Sequence, residues 1–98
     1  MSVEVDKVVD RLRALCSRRE YCSADIMKKA LAALEGNKQQ AEHVLKLLVK
    51  EGYVDDLRYA SAYAREKSSI SGWGVAKIRY MLSAKSIDKD TISRALEE

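Results

Sequence analysis

The sequence predicts an all-α protein built from tandem three-helix units, and three observations carry that expectation. The 98 residues contain no Pro and only four Gly, while Ala, Leu, Lys and Glu, all good helix formers, are abundant. The short Gly/Asn/Asp turns that join hairpin strands are scarce. Apolar residues recur at three- and four-residue steps along the whole chain, the stripe of an amphipathic helix.

Val5, Val8, Val9, Leu12, Leu15 and Cys16 mark a first helix over roughly residues 4–19. After Glu20-Tyr21-Cys22, Ser23 is positioned to cap a second helix with the stripe Ile26, Met27, Ala30, Leu31 and Leu34, and Gly36 stands where a left-handed stop is wanted. Asn37, with Gln40 three residues on, has the form of a capping box. It opens a third helix that carries Ala41, Val44, Leu45, Leu48 and Val49 inward until Gly52. Carboxylates at Asp55 and Asp56 suit the positive end of a fourth helix, which turns Leu57, Ala60, Tyr63 and Ala64 inward and ends near Ser68. A Ser- and Gly-rich junction leads to a fifth helix with Val75, Ile78 and Leu82 on its buried side. Asp88 caps a sixth that carries Ile92, Ala95 and Leu96.

The two halves align. Val9, Leu12, Leu15 and Cys16 match Leu57, Ala60, Tyr63 and Ala64 at an offset of 48, and Val44, Leu47 and Leu48 match Ile92, Ala95 and Leu96 at the same offset. Between them Tyr21 pairs with Trp73, Ile26 with Ile78 and Ala30 with Leu82 at an offset of 52. The expected organisation is a repeat over residues 1–54 and a second over 55–98, packed as one cooperative unit because each alone buries little apolar surface. Stacked units of this kind make an elongated, curved body.

Apolar residues make up 47% and charged residues 34% of the chain, a composition that excludes disorder. No apolar run approaches the roughly 18 residues of a membrane span, and Glu4 and Asp6 break any secretion-signal pattern. A cytoplasmic protein without membrane contact is expected. Cys16 and Cys22 lie six apart with a single His in the chain, His43, a spacing that suits neither a zinc site nor a redox pair. No metal, cofactor or catalytic residue is expected. Asp55 and Asp56 read as caps, and the serines have no histidine near them in sequence.

The net charge of +3 is too small to identify a nucleic-acid binder, but its distribution is uneven. From Val75 to Ile87 the chain holds Lys77, Arg79 and Lys85 and no acid. Basic residues off the apolar stripes gather near the first turns and middle helices: Arg18, Arg19, Lys28, Lys29, Arg58, Arg65, Lys67, Lys77, Arg79 and Lys85. These, with Trp73, are the candidate contact residues for a partner or a nucleic acid.

Two strings carry a family resemblance. Arg18-Arg19-Glu20-Tyr21-Cys22-Ser23 opens the second helix, and Glu51-Gly52-Tyr53-Val54-Asp55-Asp56-Leu57-Arg58-Tyr59-Ala60 is followed by Gly72-Trp73-Gly74 and Lys77-Ile78-Arg79. Together they resemble the RecX family. The resemblance implies a bacterial, non-enzymatic protein of three-helix repeats, active in DNA repair and the SOS response. It also implies binding to the RecA recombinase, mainly as its filament on single-stranded DNA, and restraint of strand exchange, ATP hydrolysis and coprotease activity. Direct DNA contact is a further expectation, and a monomer is expected because no heptad seam remains once the core stripes are assigned. Two features depart from the family pattern. Members usually carry three repeats where this chain carries about two, as a truncated one would, and Ser86 stands where Gly commonly follows Lys85. The alternative reading of the residues is a helix-turn-helix-like DNA-binding module using the basic fifth helix. A protein-interaction scaffold whose basic residues only solubilise it is a third.

Overall fold

A computed structural model describes residues 3–97; Met1, Ser2 and Glu98, at the outer ends of the two expected repeats, lie outside the described residues. Among these the chain is all-α, with six helices and no strand: α1 (Val3–Arg18), α2 (Ser23–Ala33), α3 (Lys38–Lys50), α4 (Asp56–Ser69), α5 (Val75–Ala84) and α6 (Lys89–Glu97). They form two compact units, Met1–Asp55 and Asp56–Glu98.

In the first unit, Val5, Val8, Val9 and Leu12 of α1 meet Ile26, Ala30 and Leu34 from α2 and its end, and Ala41, Val44 and Leu48 of α3. Val54, after α3, closes this core. The outer edge is fastened by Arg13 of α1, whose Nε donates to Glu51 Oε1 at 2.9 Å and Nη2 to Glu51 Oε2 at 2.7 Å. A third bond runs from Arg13 Nη1 to Asp10 Oδ1 at 2.9 Å. These charge-assisted bonds hold the Glu51 carboxyl below the ordinary carboxylate range and push the guanidinium further up. In the second unit the core is Tyr59 and Ala60 of α4, Ile78 and Leu82 of α5, Ile87, and Ile92 and Ala95 of α6.

The helix ends explain why the elements stop where they do. The Asn37 side chain accepts from the Gln40 amide at 3.0 Å, and the Asp88 carboxylate accepts from the Thr91 amide and hydroxyl, both at 2.8 Å. These two caps match at an offset of 51, which also pairs buried Ala41 and Val44 with buried Ile92 and Ala95. The third helices therefore align at 51, three residues from the register that apolar matching alone suggests. The middle helices keep the offset of 52: Cys22 and Gly74 are their N-caps with nearly identical extended backbones, and Ile26 and Ala30 are buried as Ile78 and Leu82 are.

Three expectations need correction. Ser23 is the first residue of α2 rather than its cap, which is Cys22. Gly36 is left-handed as expected, at φ 79°, and Glu35 before it is left-handed too, at φ 56°. Val49 is 48% exposed and Val75 59% exposed, so neither is carried inward as the helical spacing suggests.

Candidate functional site

The junction between α4 and α5 folds back on itself: the Trp73 amide donates to the Lys67 carbonyl at 2.9 Å. That bond sets the indole against α4. Tyr59 and Tyr63, four apart on one helix face, stack at 5.9 Å between centroids, and Tyr63 meets the Trp73 ring edge-on at 6.4 Å. Two lysines cover this aromatic row. Lys67 Nζ lies 4.9 Å from the Trp73 centroid and 5.5 Å from that of Tyr63, and Lys77 Nζ lies 4.2 Å from Trp73. Each such contact contributes about 0.5–1 kcal/mol at an exposed site, enough to bias where a long lysine chain rests.

The first unit has the matching feature. Tyr21 occupies the position 52 residues before Trp73, and its ring is covered by the Arg19 guanidinium at 4.8 Å and Lys29 Nζ at 5.5 Å. An aromatic ring carrying two cations thus precedes the middle helix of each unit. In both, the ring is half-buried and the cations are at the surface, apart from the half-buried Lys67.

Beside Trp73 a groove of about 250 Å³ opens between α4, the start of α5 and the end of α6. Its walls include Ala64, Arg65, Trp73, Val75, Ile78 and Leu96, with the hydroxyls of Ser68 and Ser69 alongside. It exists because α4 presents small side chains at Ser61 and Ala64. A second crevice, in the first unit, lies between α1 and the α2–α3 turn and is lined by both signs of charge, Lys7 and Arg11 with Glu4 and Glu35.

The candidate contact residues therefore divide. Arg65 and Trp73 line one groove, Lys67 and Lys77 lie over the Trp73 ring, and Arg19 and Lys29 come together over Tyr21. Arg18, Lys28 and Arg58 are exposed on α1, α2 and α4 respectively. Arg79 turns inward and donates to Ser93 Oγ of α6 at 3.2 Å, so its guanidinium joins two helices of the second unit. Lys85 is half-buried as the C-cap of α5. Tyr63, Val75 and Ala64 belong to the site and were not singled out by sequence as contact residues. The i, i+4 spacing of Tyr63 and Lys67 is the signal that could have pointed to the first of them.

Cys16 is half-buried and Cys22 fully buried, both with free thiols. Among the described residues no group of three or more His, Cys, Asp or Glu side chains is placed to hold a metal ion. No helix among them is long and apolar enough to cross a membrane.

Comparison with known proteins places this geometry in context. A family profile described as "RecX, second three-helix domain" matches residues 55–96. The regulatory protein RecX of Pectobacterium atrosepticum is 35% identical over 97 aligned residues, covering 84% of this chain and 59% of that protein. The regulatory protein RecX of Xanthomonas axonopodis pv. citri is 36% identical over 89, covering 90% and 53%. The chain spans little more than half the length of these relatives. A crystal structure of regulatory protein RecX superposes with a TM-score of 0.86 at 29% identity, covering 96% of this chain and 46% of that one.

Proposed function

The chain belongs to the RecX family of regulatory proteins, and from that premise we propose that it binds the RecA recombinase, chiefly as the filament on single-stranded DNA. There it restrains strand exchange, ATP hydrolysis and coprotease activity without catalysing a reaction of its own. The observation that carries this reading is the extent of the likeness: alignments at 35% and 36% identity cover 84% and 90% of this chain. The basic residues of both units support it, since a nucleoprotein filament presents phosphates and acidic protein surface, and exposed Lys and Arg speed and orient such an encounter.

The helix-turn-helix-like alternative would have α5 offer Lys77 and Arg79 to base edges. Arg79 is instead bonded to Ser93 of α6, which favours the filament regulator. The test is RecA-catalysed ATP hydrolysis on single-stranded DNA, titrated with the 98-residue chain and with a Lys28→Glu, Lys29→Glu, Arg58→Glu variant. Inhibition by the chain that the variant loses supports the reading; unchanged hydrolysis at saturating chain refutes it for these two repeats.

A further inference from the structure

We propose that the groove between α4, α5 and α6 is a docking site for an acidic protein segment that inserts one apolar side chain. This rests on the partner-binding reading above and gives it a local address.

The size of the groove selects a side chain. At about 250 Å³ it falls below the roughly 300–1,000 Å³ of sites that enclose whole small molecules. Its lining includes apolar Ala64, Ile78, Ala95 and Leu96 with Trp73, alongside Ser61, Ser68 and Ser69. Val75, at the mouth, leaves 59% of its surface in water at the first position of a helix. Burying such a residue against a partner's apolar side chain is favourable at about 25 cal/mol per Å² of apolar surface removed.

The charge selects the flanks. Arg65 is the one charged residue among the lining side chains, none of which is a carboxylate. Lys67 and Lys77 stand over the ring of Trp73, itself part of the groove wall, so two further cations lie beside a groove that Arg65 lines. The first turn of α5 contains no acid, which leaves its positive dipole end uncompensated at the same mouth. Lysines that rest on an aromatic face only by a weak cation–π contact are free to swing toward a carboxylate, since their stems are flexible and their head groups already wet. Arg65 can take a carboxylate in two parallel hydrogen bonds. An apolar anchor between Asp and Glu residues matches the apolar part of the lining and the cations beside it.

Trp73 is the only tryptophan of the chain and reports occupancy directly. The experiment titrates the intact chain with a short Trp-free peptide of Asp and Glu residues around a central Leu, at about 0.15 M salt, where charges beyond about 8 Å are screened. Intrinsic fluorescence is followed, with two competitors in parallel: the same peptide with Ser in place of Leu, and oligothymidylate. The expected result is a saturable blue shift with the Leu peptide. It weakens by about tenfold or more with the Ser peptide and with the variants Arg65→Glu and Val75→Asp. Val75→Asp places a carboxylate at a helix start that favours one, so the variant keeps its fold, and far-UV circular dichroism verifies this. No shift with the Leu peptide, an equal shift with the Ser peptide, or a shift with oligothymidylate that the Leu peptide fails to displace each overturns the proposal. RecA is absent from this assay. Loss of peptide binding with RecA inhibition intact therefore removes the groove assignment alone, and the reverse outcome removes the RecA reading alone.

Discussion

Replacing Ser86 with Gly should stabilise the protein, although it deletes atoms and adds no contact. Ser86 has φ 63°, the left-handed region in which an L residue pays about 1–2 kcal/mol from the approach of its Cβ to the carbonyl oxygen. The position is imposed by the way α5 ends. The Ser86 amide donates to the Ser83 carbonyl at 2.9 Å and the Ile87 amide reaches back to the Leu82 carbonyl at 3.4 Å, a Schellman closure that requires the residue between to turn left-handed. Buried Ile87 and Leu82 sit at the two ends of the closure, so the chain cannot relax the strain without exposing core. Glycine removes the steric cost but loses more chain entropy on folding, about 0.5–1 kcal/mol. The net gain is about 0.5–1 kcal/mol, or roughly 2–8 °C in Tm for a chain of this size. Gly52, at φ 82°, ends α3 with the same closure, its amide on Val49 and that of Tyr53 on Leu48. A Cβ there would meet nothing within 4 Å, so Gly52→Ser isolates the conformational cost and should lower stability by about the amount that Ser86→Gly raises it. Urea titrations followed by far-UV circular dichroism, with unchanged m-values, measure both. A lower midpoint for Ser86→Gly, or an unmoved one for Gly52→Ser, refutes the reasoning.

Three further outcomes follow from the same coordinates. Asn37→Ala removes the side-chain acceptor of the Gln40 amide and should cost about 1 kcal/mol, while Asn37→Ser recovers most of it, both read by urea midpoint. Leu82→Ala empties a site that is 0% exposed and should cost about 2–5 kcal/mol, enough to lower the thermal midpoint of the second unit visibly in calorimetry. The Thr91 amide and then its hydroxyl hold the Asp88 carboxyl below its ordinary 3.8. A group with a lowered folded value stabilises above its unfolded pKa and loses that contribution as pH falls through the folded one. Asp88→Asn keeps an acceptor but cannot titrate, so the stability advantage of the natural chain over the variant should be full at pH 7 and shrink below about pH 4. An advantage that stays constant with pH would mean the carboxylate charge contributes nothing.

The helices were legible because their signals are local. Apolar steps of three and four residues fix six stripes, and Asn37 and Asp88 cap where their positions suggest. What was not legible depends on neighbours distant in sequence. Val49 and Val75 satisfy the helical spacing, yet each leaves about half of its surface in water. Ser23 is a better capping residue than Cys22, but burial of the Cys22 thiol places the extended residue one step earlier. The 48-residue offset of the third helices failed because an apolar stripe matches itself at several registers, whereas a cap occurs once. Among the basic residues, sequence could not distinguish Arg79, which bonds α6, from Lys77, whose position depends on the junction that the Trp73 amide closes.

The two units share one plan and differ in a way that accounts for the groove. At an offset of 51, in place of the 48 that apolar matching suggests for the first helices, buried Val8 and Val9 of α1 correspond to buried Tyr59 and Ala60 of α4, and Leu12 to Tyr63. The first helix lines its core with aliphatic side chains of similar size that are buried throughout. The second alternates large rings with Ala60, Ser61 and Ala64, so bulk is moved toward Trp73 and withdrawn from the wall facing Leu96. A filled wall contributes stability through close packing, and an unfilled one forgoes it by about the cavity's worth of lost contacts. The groove that results is lined by Arg65 and by Trp73, whose ring carries Lys67 and Lys77. Filling the groove from within, by Ala64→Leu, should therefore raise stability while abolishing the fluorescence response to the acidic peptide. A variant that is stabilised and still responds would show that the peptide binds elsewhere.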